Sequence, residues 1–202
     1  MEVRRGRAEV PQTIRSRATH ERITSALVRL VESGQHDPGA SEIAHGADVS
    51  LRTIFHHFHD LDQMYSAALA ERIKSARVEL TPVDTTAEVL VRCDAISFNR
   101  DSIYAALAPM LRAYVANPNR ALQLGSHVEH EALLTAMQGQ TRDTFAVELR
   151  QHHDPLKALL GIETALSFAV WDYLHRVQGV SRAGTRQFMS ALTLSIMRSF
   201  GA

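Results

Sequence analysis

The sequence predicts an all-α protein made of a small N-terminal helical bundle and a larger C-terminal one. Apolar residues recur at every third or fourth position over most of the chain, which is the period of an amphipathic helix. Stretches such as QHDPG and TPVDTT interrupt this pattern and predict the connections between helices. Near the N-terminus, a long, a short and another short helical segment follow one another, with a tight turn before the third.

The composition is that of an ordinary globular protein. Of its 202 residues, 45% are apolar and 22% are charged, which does not indicate disorder. The 22 basic and 22 acidic residues cancel, so a charged partner would have to be recognised through local clustering. One basic cluster lies at the N-terminus and comprises Arg4, Arg5, Arg7, Arg15 and Arg17.

The cysteine content and the hydropathy pattern predict a soluble cytoplasmic protein without a membrane partner. Cys93 is the only cysteine, which excludes an internal disulfide and a cysteine-based zinc cluster. No apolar run approaches the roughly 20 residues that span a bilayer. The N-terminal stretch MEVRRGRAEVPQ lacks the apolar core of a signal peptide.

The first three helices are predicted at residues 14–32, 40–47 and 51–58. Asp48, a residue type that tolerates left-handed backbone, lies in the turn before the third helix, and Ser50 is a favourable N-cap for that helix. In the third helix, Leu51, Ile54 and Phe55 fall with Phe58 in one arc, which predicts a buried apolar face. The opposite face carries Arg52, Thr53, His56 and His57.

This order of motifs resembles the DNA-binding signature of the TetR family of bacterial regulators. The resemblance covers residues 13–75 and is strongest in SEIAHGADVSLRTIFHHFHDLDQM, with the helix-turn-helix at 39–58. It implies a recognition helix that enters the DNA major groove and a larger ligand-binding and dimerisation domain at 84–202. The DNA-contacting residues that it implies are Ser41, Ser50, Leu51, Arg52, Thr53, Phe55, His56 and His57.

Four positions depart from the family pattern. Gly39 stands where a capping threonine is usual, and Asp48 stands where the turn usually has glycine. Phe55 replaces a tyrosine and Leu61 replaces a lysine, and both of the usual residues contact phosphate. Binding to the DNA backbone is therefore expected to be weaker than is typical of the family.

The resemblance implies a transcriptional repressor that binds double-stranded operator DNA as a homodimer and is released by a small-molecule effector. It implies no cofactor and no enzymatic activity. Phosphate loops, G-x-S-x-G elbows and paired cysteine–histidine nucleophiles are also missing from the sequence. The alternative is a helical enzyme or metal-binding protein built around the histidines.

The histidine-rich stretch TIFHHFHD is the main support for that alternative. His56, His59 and Asp60 have the spacing of residues on one helical face. However, His57 lies about 100° around the helix from His56. Asp60, with Gln63 three residues later, instead resembles a capping box for a fourth helix at 61–80. Contact with DNA is favoured over a solvated histidine face, and a metal site is the least favoured interpretation.

Two other histidine clusters are weaker candidates. HVEHE places His127, His130 and Glu131 on adjacent turns but lacks the order of helical zinc enzymes, so a wet surface or a pocket wall is favoured. His152 and His153 precede Asp154-Pro155, which marks a helix start, and are expected in a loop.

The C-terminal part predicts helices at 87–99, 102–116, 119–137, 141–151, 156–177 and 185–200. The last two are the most apolar, and their broad apolar surfaces need covering by their own domain or by a second chain. The family resemblance favours a second chain. The expected interface residues are Leu166, Val170, Leu174, Phe188, Leu192 and Ile196.

Aromatic, sulfur-containing and histidine side chains of this part are candidates for the wall of a ligand pocket. Each is equally plausible as core packing, and the identity of the effector does not follow from the sequence. The candidates are Cys93, Phe98, Tyr104, Met110, Tyr114, His127 and Trp171.

Overall fold

The computed structural model describes residues 12–199, with side chains from 15 to 198. The predicted basic residues Arg4, Arg5 and Arg7 lie outside the described residues, as does position 200 at the predicted end of the last helix. Within the described range the chain is all-α, as predicted, and has no β-strand. No helix in this range is both long enough and apolar enough to cross a membrane.

The four N-terminal helices begin close to the predicted positions. They are α1 Gln12–Glu32, α2 Ala40–Gly46, α3 Leu51–His57 and α4 Leu61–Ala76. The predicted fourth helix continues to residue 80, but its last turn tightens into a 3-10 turn at Arg77–Glu79. Asp48 has a φ of 52°, which confirms the predicted left-handed residue between α2 and α3.

The C-terminal helices differ more from the prediction. They are α5 Val89–Ala116, α6 Pro118–Leu124, α7 Val128–Thr144, α8 Ala146–Gln151, α9 Pro155–Ala165, α10 Phe168–Asp172 and α11 Arg182–Ser199, with a π-helical turn Tyr173–Val177 after α10. As predicted, His152 and His153 lie in a loop, and the Asp154 side chain caps α9.

The predicted break between 99 and 102 is wrong because α5 is continuous there. Arg100 and Asp101, the two residues between the predicted helices, are fully buried in the middle of α5. One Arg100 nitrogen donates to the Met137 carbonyl at 2.7 Å and to the Thr141 hydroxyl at 2.8 Å. Helix α7 therefore provides partners for one of the three Arg100 nitrogens, while Nε and Nη1 are buried without a hydrogen-bond partner among the described residues.

Three further boundaries also require correction. The predicted helix 119–137 is interrupted between Leu124 and Val128, whereas the predicted break at GQT is absent and α7 runs through it. The predicted helix 156–177 is interrupted between α9 and α10. There the Ser167 hydroxyl accepts a hydrogen bond from the Val170 amide at 3.3 Å and starts α10.

Helix α5 is the central element of the fold. It packs against α1 and α4 on the N-terminal side and against α6, α10 and α11 on the C-terminal side. The apolar core continues from the N-terminal helices into the C-terminal ones without interruption. A displacement of α5 would therefore also displace α1 and α4, which pack against it.

A buried ion-pair cluster joins α5 to α10 and α11. Asp101 accepts hydrogen bonds from Trp171 Nε1 at 2.9 Å, from Arg182 Nη2 at 2.8 Å and from Arg186 Nη1 at 3.0 Å. Burial raises the pKa of Asp101, but the hydrogen bonds from Arg182, Trp171 and Arg186 outweigh it and hold this pKa below its ordinary value. The aspartate is therefore charged in the folded protein.

We expect Asp101→Asn to lower the free energy of unfolding by about 2 to 3 kcal/mol, because two arginines then lose their carboxylate while keeping partial contact with water. Urea unfolding followed through the fluorescence of Trp171, the only tryptophan, measures this change.

The exposed Asp143→Asn is the matched control and should leave the unfolding midpoint unchanged. Since the folded pKa of Asp101 is lowered, its stabilisation is fully present above the unfolded value of 3.8 and is lost as the pH falls through the folded pKa. An Asp101→Asn protein as stable as the wild type at neutral pH would contradict this role.

Candidate nucleic-acid interface and the adjoining cavity

Helix α3 has seven residues and is stabilised by its N-cap and by two buried side chains. The Ser50 hydroxyl accepts from the Thr53 amide at 3.1 Å, which confirms the predicted N-cap. Ile54 and Phe58 are buried, and the ring of His20 on α1 stacks on Phe58 with 4.5 Å between ring centroids. The N-terminal half of α1 thus lies beside the end of α3.

The predicted apolar arc of α3 is only half buried. Leu51 is exposed, and Phe55 has 52% of its surface exposed, although both share the arc of Ile54 and Phe58. The reason is geometric, because α1 and α2 cover only the edge of α3 that carries Ile54 and Phe58. Two large apolar side chains therefore face outward beside the polar residues of the helix.

The outward surface of α3 has no acidic residue. Arg52 and His56 are exposed, and no carboxylate in the described chain pairs with Arg52. The Ser50 and Thr53 hydroxyls lie 2.8 Å apart and bond to each other. Ser41 is exposed on α2. This surface offers a free guanidinium, imidazoles and apolar groups, a combination suited to phosphates and base edges.

Two arginines of α1 brace the turn between α2 and α3, and the sequence analysis did not identify them. Arg29 donates to the Gly46 carbonyl at 3.0 Å, and Arg22 donates to the Asp48 carbonyl at 3.4 Å. Both are spaced to fall on one face of α1, which is the signal that sequence reasoning could have used. They fix the angle at which α3 leaves the turn.

The connection from α3 to α4 confirms the predicted cap at Asp60. Its carboxylate accepts from the Gln63 amide at 2.7 Å. The reciprocal bond of the predicted capping box is shifted by one residue, since the Gln63 side chain accepts from the His59 amide at 2.6 Å. The Asp60 carboxylate is thus used in the helix cap.

Histidines from two helices form a patch next to the exposed surface of α3. His56, His57 and His20 line a shallow depression together with Ser16 and Arg17 of α1. Partial burial lowers the pKa of His57, and the neighbouring His56 and His20 lower it further. In the described residues no three histidine, cysteine or acidic side chains are grouped so that they could hold a metal ion.

A buried arginine of α6 connects this N-terminal assembly to the C-terminal helices. Arg120 forms ion pairs with Asp37 in the α1–α2 loop and with Asp62 in the first turn of α4, the latter at 3.2 Å. Its guanidinium also lies 3.7 Å from the centroid of the Tyr65 ring. We call this cluster of Arg120, Asp37, Asp62 and Tyr65 the junction cluster.

A cavity of about 350 Å³ lies beside the junction cluster, between the α1–α2 loop, the end of α5 and α10. It is lined by His36, Arg112, Val115, Ala116, Phe168, Asp172 and Arg176. These residues were not predicted as a set, because they come from segments far apart in the chain. No local spacing could have brought them together.

None of the predicted ligand contacts lines this cavity. Six of them lie within the packed interior, namely Cys93, Tyr104, Met110, Tyr114, His127 and Trp171. Burial raises the pKa of the Cys93 thiol to about 12, so it stays protonated. Phe98 is 53% exposed and lies under the Arg186 guanidinium. His127 packs at the α4–α7 contact, 3.1 Å from the Ser66 hydroxyl.

The predicted interface residues of the last helices are placed unevenly. Leu166 is fully buried in its own chain, so its side chain has no surface to offer a partner, which corrects that assignment. Val170, Leu174, Leu192 and Ile196 are half-buried, and Phe188 is exposed. Helix α9 adds two exposed leucines, Leu156 and Leu160, which the sequence analysis did not single out.

We expect His57 to titrate below the ordinary histidine value of about 6.5 because it is partly buried beside two other imidazoles. Replacing His56 by alanine removes one neighbouring cation, so the pKa of His57 should rise. NMR titration of the ring proton shifts measures both values.

The exposed His36→Ala is the control and should not move the His57 titration. A His57 pKa at or above the ordinary value, or one that is unchanged in His56→Ala, would mean that the three imidazoles do not interact.

Two solved structures are similar to this fold. One is a transcriptional regulator from Rhodococcus sp. Rha1, with a TM-score of 0.62, 16% sequence identity, and coverage of 91% of this chain and 98% of that protein. The other, from Mesorhizobium loti, is assigned to the TetR family of transcriptional regulators and has a TM-score of 0.57, 17% identity, and coverage of 96% and 100%. No family model and no curated protein matches the sequence. The likeness extends over almost the whole chain, and the fold is the one that the resemblance to the TetR family predicted.

Proposed function

We propose that the chain is a DNA-binding transcriptional regulator, in which residues 13–75 bind operator DNA and residues 84–202 bind an effector and a second copy of the chain. The observation that carries this proposal is the outward surface of α3. It presents Arg52, His56 and two exposed apolar side chains on a helix whose other edge is anchored in the core. The solved regulators with this fold support it.

In this proposal α3 lies in the major groove of double-stranded DNA. Arg52 has the side chain to donate two hydrogen bonds to a guanine edge, and the exposed Leu51 is suited to a thymine methyl group. His56, His57 and the α1 residues Arg17 and His20 lie at the side of α3, where they would approach phosphates. The exposed Ser41 of α2 and the hydroxyls at the start of α3 would contact the same backbone.

We further propose that the protein is a cytoplasmic repressor and that binding of a small molecule releases it from its operator DNA. A ligand that prefers the conformation with displaced recognition helices would lower DNA affinity by its differential affinity for the two states. Of the predicted pocket residues, Tyr104 and Trp171 would act on such a ligand indirectly, because both rings pack against Phe168 in the wall of the described cavity.

Selection from random-sequence duplex DNA tests the proposal most directly. The protein should retain fragments that share two inverted half-sites whose centres are about 10 base pairs or a multiple apart, as two symmetric recognition helices require. Retention of fragments without any common sequence, or of none, would remove the proposed function.

The departures from the family pattern generate a prediction about affinity and specificity. Phe55→Tyr adds a hydroxyl to an exposed ring, and Leu61→Lys adds a charge at the first turn of α4. Each should tighten binding to selected and scrambled DNA alike by about fivefold, because phosphate contacts add affinity without reading sequence. Leu61→Lys should also steepen the salt dependence.

Arg52→Ala provides the contrast, since loss of a base contact should relax the preference at one position of each half-site. Binding of all three variants to selected and scrambled DNA at several salt concentrations gives the comparison. If Arg52→Ala weakened both DNAs equally while the other two variants changed neither, the placement of α3 in the groove would be wrong.

The exposed apolar side chains of α9 and α11 generate a prediction about assembly. Leu160 is 58% exposed, and α9 packs so closely on α11 that a Cβ atom at Gly161 would lie 3.2 Å from the Ile196 side chain. The two packed helices thus carry further exposed apolar side chains, Leu156 on α9 and Phe188 on α11, which a second copy would remove from water.

We expect the wild type to be a dimer at micromolar concentration and Leu160→Glu to be a folded monomer, as measured by light scattering. Leu122→Glu on α6 is the control, because Leu122 is 83% exposed and lies away from this surface. A monomeric wild type, or a Leu160→Glu protein that remains dimeric, would contradict the proposed interface.

A further inference from the structure

We propose that the cavity between the α1–α2 loop, the end of α5 and α10 binds a small organic anion with an aromatic or similarly apolar body. We further infer that this cavity is the effector site, a step that rests on the proposed regulatory function. The charges and surfaces of the cavity alone support the binding itself.

The charges of the cavity leave an excess of one positive group. Arg112 Nε donates to Asp172 Oδ1 at 2.7 Å, and Arg176 Nε donates to Asp172 Oδ2 at 3.2 Å. In the part of the chain that the structure describes, Asp172 is the only carboxylate that pairs with either arginine. One carboxylate therefore serves two guanidinium groups, whose remaining N–H groups can donate to a bound anion.

The apolar wall of the same cavity is preorganised. Phe168 packs against Trp171 with 6.0 Å between ring centroids, and the Tyr104 ring meets it edge-on at 5.6 Å. These contacts fix the Phe168 ring, while Val115 and Ala116 at the end of α5 complete the wall. The volume of about 350 Å³ lies at the small end of the ligand-pocket range of about 300 to 1,000 Å³.

The combination defines the chemical class of the ligand. A neutral apolar molecule would displace water from the two guanidinium groups without replacing its hydrogen bonds. A compact polyanion would meet Asp172 and would gain nothing from Phe168. A monoanion with a flat apolar body, such as an aromatic carboxylate, satisfies both parts of the cavity.

The position of the cavity connects it to the DNA-binding helices. His36 in its wall precedes Asp37, which pairs with Arg120 in the junction cluster. At the opposite wall, Ala116 precedes Asn117, whose side-chain oxygen accepts from the Arg120 amide at 3.3 Å. A bound anion would therefore contact His36, which is bonded to Asp37 of the ion pair. It would also contact Ala116, which is bonded to the Asn117 that holds the Arg120 backbone.

The same ion-pair cluster reaches the recognition helix through α4. Arg120 also pairs with Asp62, two residues after the Asp60 cap that ends the α3–α4 connection. Movement of the α1–α2 loop or of the end of α5 would thus change how α4 and α3 are held. A ligand that prefers the moved arrangement would lower DNA affinity.

Isothermal titration calorimetry with 2-naphthoate, and with 2-naphthamide as its neutral counterpart, tests the binding site. We expect saturable naphthoate binding with a dissociation constant below about 1 mM and much weaker naphthamide binding. Arg176→Gln should weaken naphthoate binding about tenfold, since one charge-assisted donor is lost. Val115→Asp should weaken it at least about tenfold, and Val115→Asn, of similar size but neutral, should weaken it less.

Val147→Asp on α8 is the matched control, since Val147 is an exposed valine, at 51% against 63% for Val115, and does not line the cavity. It should bind naphthoate as the wild type does. Equal affinity for naphthoate and naphthamide would overturn the anion selectivity. Unchanged naphthoate binding in both Arg176→Gln and Val115→Asp, or the absence of saturable binding in the wild type, would overturn the site.

The effector role is tested by the affinity for selected operator DNA without naphthoate and with naphthoate at the lowest concentration that saturates the wild type, the same concentration being used for each protein. In the wild type the affinity should fall at least about fivefold, the lower end of typical allosteric coupling, and in Val115→Asp, which is only partly occupied at that concentration, the fall should be clearly smaller. Saturable binding without a change in DNA affinity would overturn the effector role but not the site. If no DNA were selected at all, the proposed function would be wrong, but the calorimetry would still show whether the cavity binds naphthoate.

Discussion

The anchoring of α3 by Ile54 and Phe58 is the constraint on which the rest of the candidate interface depends. A seven-residue helix is too short to be stable alone, because few hydrogen bonds offset the cost of its nucleation. Burial of the Ile54 and Phe58 side chains and the hydrogen bond of the Ser50 cap provide the missing stability. Since α1 and α2 cover only this edge, the opposite surface with Arg52 and Phe55 is left outward.

The junction cluster extends that constraint to the whole chain. Arg120 is almost completely buried, and its partners Asp37 and Asp62 belong to the loop before α2 and to the start of α4. A buried arginine with two carboxylates adds less to stability than an apolar contact of the same size, but it fixes one arrangement of its partners. Such a contact is suited to holding α4 and α3 in one position until a neighbouring ligand changes it.

The N-terminal helices were predictable because their signals are local. The Ser50 and Asp60 caps, the left-handed Asp48 and the apolar period of α1 all lie within a few residues of what they determine. The exposure of Phe55 was not predictable, since an apolar arc does not say how much of it the neighbouring helices cover. The continuity of α5 was missed for a similar reason, because the partners of Arg100 and Asp101 come from α7, α10 and α11. The cavity depends on three distant segments and has no signature in any one of them.

Photocrosslinking tests the central claim, that the outward surface of α3 meets DNA. The photoreactive amino acid benzoylphenylalanine would replace either Phe55 or Phe98, whose exposed fractions are nearly equal at 52% and 53%. If the outward surface of α3 meets DNA, a covalent adduct with duplex DNA is expected from position 55 and none from position 98. An adduct from position 98 without one from position 55 would place the DNA on the C-terminal helices and contradict the account.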